Sequence, residues 1–145
     1  MLIMKQSLNK LEKVKKVTEK RRTGDIGEEI ASRFLMKHGY QVIERNFLRK
    51  CGEIDIITKK EGTYCFFEIK SVSCKTLHME HHKGAESIRP EENLHSRKLG
   101  RLFRTIKFYL AENKIDPETE YKVGAIIVKI DRTHRKASVK IIDQL

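Results

Sequence analysis

Between Gly52 and Lys70 two β-prone apolar runs, Ile54–Thr58 and Thr63–Ile69, flank the pair Glu61 and Gly62. A glutamate–glycine pair between β-branched and aromatic residues predicts a hairpin. Whether the loop is Glu61-Gly62 alone or the four residues 60–63, Lys59 faces Tyr64 and every other cross-strand pair follows. Asp55 is then expected opposite Glu68, and Glu53 opposite Lys70. Because side chains alternate along a strand, all four belong to one face. That face also carries Ile57, Tyr64 and Phe66, while Ile54, Ile56, Cys65, Phe67 and Ile69 make the other face wholly apolar.

Two carboxylates with Cβ atoms roughly 5 Å apart repel, so a folded chain needs a proton, a cation or Lys70 to offset them. A hard divalent ion meets that need. Mg²⁺, or Mn²⁺ in its place, takes oxygen ligands, and Asp55, Glu68 and the Ile69 carbonyl are the candidate donors. Lys70 is then free to hold a water or offset charge on a phosphate, a set that suits metal-assisted phosphodiester hydrolysis. The plainer reading is a set of cross-strand ion pairs on a solvated sheet face. Strands apolar on both sides that still keep Asp, Glu and Lys are better explained by a site.

The order Asp55, then Glu68 and Lys70 two residues apart, resembles the PD-(D/E)xK nucleases. The blocks Gly24 to Ala31, Phe34-Leu35, Gly39-Tyr40, Arg45-Asn46, Gly52 to Asp55, Phe67 to Lys70, and Lys98 through Leu102 to Tyr109-Leu110 are similar, in that order, to the bacterial YraN-like family. The resemblance covers about residues 24 to 110. It implies an α/β restriction-endonuclease-like core (α-β-β-β-α-β) with a central mixed sheet flanked by helices, related to Holliday-junction resolvases. It also maps Glu28, Asp55, Glu68 and Lys70 onto the nuclease site and Lys98 onto a basic helix residue. Two departures stand out: Ser71-Val72 where that family usually has Thr-Arg, and Gly124 where an Asp is typical. The stretch from Ser73 to Asn93 is also longer than usual.

The helix carrying Glu28 has its own signature. Thr23 or Asp25 is a candidate N-cap, and Ile26, Ile30, Ala31, Phe34 and Leu35 form an apolar stripe before Gly39. At about 100° per residue, Glu28 lies at the edge of the stripe and Glu29 nearly opposite it, so Glu28 is the acid that can lean toward the sheet. Gly24 and Gly27 lie on the stripe side, where a missing side chain permits close approach.

The chain's 145 residues carry a formal charge of +11, which points to a polyanionic partner, with DNA the expected nucleic acid. Residues 1–22 hold eight cations, Lys15, Lys16, Arg21 and Arg22 among them, against two glutamates, for a net +6. They read as a basic arm or helix that contacts phosphate, ahead of a single nuclease-like domain over 23–145. Leu8, Leu11, Val14 and Val17 also permit an amphipathic helix docking on the core, a partner or a lipid surface, and a frayed extension fits equally well. No apolar run approaches the roughly 20 residues of a membrane span. No export signal is apparent, and the odd cysteine count (Cys51, Cys65, Cys74) without a CxxC fits a reducing cytoplasm.

Cys74, His78, His81, His82 and His95 match no standard zinc spacing, so residues 73–93 read as a mobile or substrate-contacting loop. A helix from His95 should pack Leu99, Leu102, Phe103, Ile106, Tyr109 and Leu110 inward. Arg97, Arg101, Arg104 and Lys107 then turn outward, to follow a nucleic-acid backbone or to solvate the helix. Lys122–Asp131 and Ala137–Ile142 read as closing strands around a turn at Thr133-His134.

The sequence therefore predicts a metal-dependent nuclease using Asp55, Glu68 and Glu28 for Mg²⁺ or Mn²⁺ and Lys70 for the attacking water. Resolvase kinship allows a homodimer. The rivals are a nucleic-acid-binding protein of the same fold that cleaves nothing, and a basic adaptor for protein or membrane.

Overall fold

A computed structural model describes the backbone of residues 2–74 and 96–145, and side chains over 18–74 and 97–145. Residues 75–95, with His78, His81, His82 and His95 of the weighed zinc reading, lie outside the described residues. The elements run α1 (Leu2–Lys37), β1 (Gln41–Arg49), β2 (Gly52–Lys60), β3 (Thr63–Cys74), α2 (Ser96–Glu112), β4 (Tyr121–Asp131) and β5 (Lys136–Ile142). The five strands lie in sequence order in one mixed sheet, antiparallel except for the parallel pair β3 and β4. This is the expected α/β core, extended by β5.

The helices cover opposite faces of the sheet. Leu102, Ile106, Tyr109 and Leu110 of α2 bury Phe47, Ile54, Ile57, Phe66 and Val123. Ala31 and Leu35 of α1 bury Ile56, Cys65, Phe67, Ile126, Val128 and Ile130. The alternation of Ile56 with Ile57 and of Cys65 and Phe67 with Phe66 is the period of two that the sequence displays. No described helix is long and apolar enough to cross a membrane.

The helix start at Thr23 or Asp25 is corrected. α1 begins near the N-terminus and runs through the boundary at Arg22 without a break. Residues 2–22 contain neither Gly nor Pro, and extending a helix costs far less than nucleating a new one. Thr23 does not cap: its hydroxyl donates to the Glu19 carbonyl 3.0 Å away, a bond compatible with the helix interior. Ile26, assigned to the apolar stripe, is 42 % exposed, whereas Ala31 and Leu35 are fully buried.

A fork in the sheet

Glu61 (φ 50°) and Gly62 (φ 81°) form the loop of the β2–β3 hairpin, both left-handed as a two-residue type I′ turn requires. The expected register holds from Lys60↔Thr63 through Lys59↔Tyr64 to Ile56↔Phe67. There the pairing stops. β2 continues with β1 as far as Arg49↔Gly52, while β3 continues with β4 as far as Cys74↔Asp131, so the two strands part at Asp55 and Glu68.

Three expectations fall with that parting. Asp55 is not a register partner of Glu68, since the β2–β3 pairing ends at Ile56↔Phe67. Glu53 pairs with Leu48 of β1 rather than with Lys70, and Ile54 packs on the α2 face instead of joining Ile56 on the α1 face. The cause lies at Asp55, whose Oδ2 accepts the Ile69 N–H at 2.7 Å. A side chain has taken the donor that a regular ladder would give to a β2 carbonyl.

Candidate functional site

Asp55 and Glu68 stand on the two arms of this fork. Asp55 is largely buried, and its pKa is pushed up from 3.8 to about 7. Burial is the main cause and the charge of Glu68 the next, with smaller contributions from Glu53 and Glu28, while the Ile69 N–H pulls the other way. Glu68 has only 12 % of its side chain exposed and is paired with the ammonium of Lys98, which α2 delivers from its first turn. In a strand the N–H and C=O of one residue leave on the same edge, so the Ile69 carbonyl also looks toward the Asp55 side.

Glu28 approaches the fork from α1. Its carboxylate accepts a bond from Asn46 Nδ2 at 3.2 Å and lies 3.9 Å from Arg45, whose other nitrogen holds Glu29 at 2.9 Å. Asn46 has φ 53°, a backbone region that Asn tolerates better than most residues. Glu28 is the more buried of the two acids, as the helical spacing predicts, at 22 % against 48 % side-chain exposure. Gly27 beside it is needed for packing, because a Cβ there would collide with the Ser71 side chain, whereas Gly24 has open space.

Lys70 is exposed on β3, and Arg97, Arg101, Arg21 and Arg22 are exposed on their helices. The side chains of Lys15 and Lys16 lie outside the described residues. Gly124 fills a packing position: a Cβ there would stand 2.5 Å from the Ile142 carbonyl and 3.0 Å from the Phe67 ring.

Asp55, Glu68 and the Ile69 carbonyl are oxygen donors suited to a hard divalent ion, and the raised pKa of Asp55 marks negative charge that such an ion would neutralise. Among the described residues no group of three or more His, Cys, Asp or Glu side chains is gathered as a ready-made metal site. A hard divalent ion at these donors would need further oxygen ligands, such as waters, to fill its shell. Sequence reasoning missed the pairing of Lys98 with Glu68 and of Arg45 and Asn46 with Glu28. Their one signal was membership of matched sequence blocks, since pairs so far apart in the chain leave no periodic trace.

The profile of the uncharacterised protein family UPF0102 matches residues 27–133. A UPF0102 protein of Campylobacter jejuni subsp. doylei is 34% identical over 108 residues, covering 74% of this chain and 84% of the relative. One from Helicobacter pylori is 36% identical over 102 residues, covering 70% and 76%. One from Caldicellulosiruptor bescii is 30% identical over 122 residues, covering 84% and 94%.

Proposed function

The chain belongs to UPF0102, the YraN-like group of restriction-endonuclease-like fold, and on that premise we propose that it is a metal-dependent nuclease acting on DNA. The observation that carries this reading is the fork: a largely buried Asp55 that accepts the Ile69 N–H beside Glu68, its pKa pushed up to about 7. Mg²⁺ or Mn²⁺ held by Asp55, Glu68 and the Ile69 carbonyl would supply Lewis acidity at the scissile phosphate. Hydrolysis adds a water oxygen to phosphorus, breaks the P–O bond to the leaving nucleotide, and moves one proton from water to the departing oxygen. Lys70, two residues beyond Glu68 on the same strand, orients the water and offsets charge that grows on the phosphate. Lys98 neutralises Glu68 until a cation takes that role. Asn46 and Arg45 keep Glu28 turned toward the fork.

The test is Mn²⁺-dependent cleavage of single-stranded, double-stranded and branched DNA by wild type, Asp55→Asn and Glu68→Gln. Cutting by wild type alone is expected, with binding in chelator about equal for all three. Lys98 on Glu68 favours one other reading, a nucleic-acid-binding protein of this fold that cleaves nothing, because the acid is already paired. Equal binding with no cutting by wild type on any substrate would select it.

A further inference from the structure

A cleft of about 400 Å³ opens between α1 and the far ends of β3 and β4, lined by Glu19, Lys20, Thr23, Ser71, Ser73 and Arg132. Two cations, Lys20 and Arg132, and the exposed Ser73 line one hollow. Arg132 is held in place by donating from Nη2 to the Thr23 hydroxyl at 2.6 Å. The turn that carries it is braced by buried Asp131, which accepts the N–H groups of Thr133 and His134 and lies 2.7 Å from the His134 ring. Ser71 Oγ is shut off from solvent with no hydrogen-bond partner among the described residues. Glu19, the one acid among the described residues of the lining, has 72 % of its side chain exposed and lies 3.9 Å from Arg132, so it can swing clear.

The cleft opens on the α1 face of the sheet, where Ser71 meets Gly27 and the neighbouring Glu28 reaches toward Asp55, whereas Glu68 pairs with Lys98 on the α2 face. Ser71 is three residues beyond Glu68 on β3, roughly 10 Å along the strand. Thr23 is five residues before Glu28 on α1, roughly 8 Å along the helix.

We propose that this cleft is a phosphate-binding site that takes a phosphodiester of the nucleic-acid strand whose neighbouring segment lies in the fork. The proposal rests on the nucleic-acid reading above. Arg132 and Lys20 supply the charge, and the exposed Ser73 carries a hydroxyl donor for a remaining phosphate oxygen.

The test measures binding of a labelled single-stranded oligonucleotide to the full chain in chelator across a salt series, for wild type, Lys20→Gln, Arg132→Gln and Lys122→Gln. Lys122 is the control, nine residues along β4 from Asp131 and so roughly 30 Å away. Lys20→Gln and Arg132→Gln should each weaken binding several-fold and lower the salt slope by about 0.7, with Lys122→Gln near wild type. Circular dichroism melting checks the fold, and Arg132→Lys, which keeps the charge, should recover most of the binding if a variant melts early. The same titration with inorganic phosphate, followed by shifts of the Ser71 and Ser73 amide resonances, distinguishes a strand phosphate from a free one. Shifts there without oligonucleotide binding would overturn the strand assignment. Equal loss in all three glutamine variants, no loss in any, or no binding of either probe by wild type would overturn it too. Cleavage plays no part in this readout, so a chain that binds through the cleft but never cuts defeats the nuclease reading and leaves the cleft standing.

Discussion

Asp55 is an acid whose folded form keeps its proton to about pH 7 against an ordinary value of 3.8, and the sign of its effect on stability follows. Between about pH 4 and 7 the folded chain binds a proton that the unfolded chain has lost. Stability therefore falls as pH rises through that window and levels off above it, by about 4 kcal/mol if this group alone changes. Asp55→Asn is neutral throughout and keeps an oxygen for the Ile69 N–H. In chelator it should melt above wild type at pH 8, with the gap closing as pH falls toward 4. Mn²⁺ at pH 8 should then raise the melting temperature of wild type and leave the variant unmoved. Equal melting of the two at pH 8 would show that Asp55 carries no unrelieved charge. Hairpin register in the sequence predicted Asp55 opposite Glu68, and the paired segment ends one residue short of them, at Ile56↔Phe67. The sequence could not show that the Asp55 carboxylate would replace a backbone acceptor, since that choice depends on where β2 and β3 part.

Among the elements, the β2–β3 hairpin was the most legible and α1 the least. Glu61-Gly62 and a strict period of two leave one register for the hairpin, because a one-residue slip would invert its buried faces. In α1, Thr23, Gly24 and Asp25 resemble a helix start, yet helix-forming residues upstream and the Thr23 bond to Glu19 carry the helix through them. Gly24 and Gly27 test that continuity. Gly24→Ala should stabilise the chain by about 0.5–1 kcal/mol, since it places a better helix former where nothing stands within 4 Å. Gly27→Ala should destabilise it by about 1–3 kcal/mol, because the new methyl meets Ser71 of β3. Urea unfolding of both variants decides the matter. A destabilising Gly24→Ala would mean that the helix is broken there in solution.

Across the whole molecule, charge and packing are divided unevenly along α1. Among the described side chains, Ala31 and Leu35 seat the C-terminal part of the helix on the sheet, and Arg132 reaches Thr23 and Glu19. Residues 1–17 carry five lysines against one glutamate, so they hold +4 of the total +11. A continuous helix spaces this charge along α1 at 1.5 Å per residue. Removing residues 1–17 should leave the melting temperature within a few degrees of wild type, because the packed part of α1 remains. It should also weaken DNA binding and flatten its salt dependence by roughly 0.9 for each phosphate that the lysines no longer neutralise, several units if most of them engage. The measurement is a set of binding isotherms from low to moderate salt for both chains, beside their thermal melts. An unchanged slope with an unchanged melt would assign the basic segment to a partner other than nucleic acid. A large drop in melting temperature would instead place residues 1–17 in the packing of the domain, and the division of α1 into a packed half and a charged half would fall.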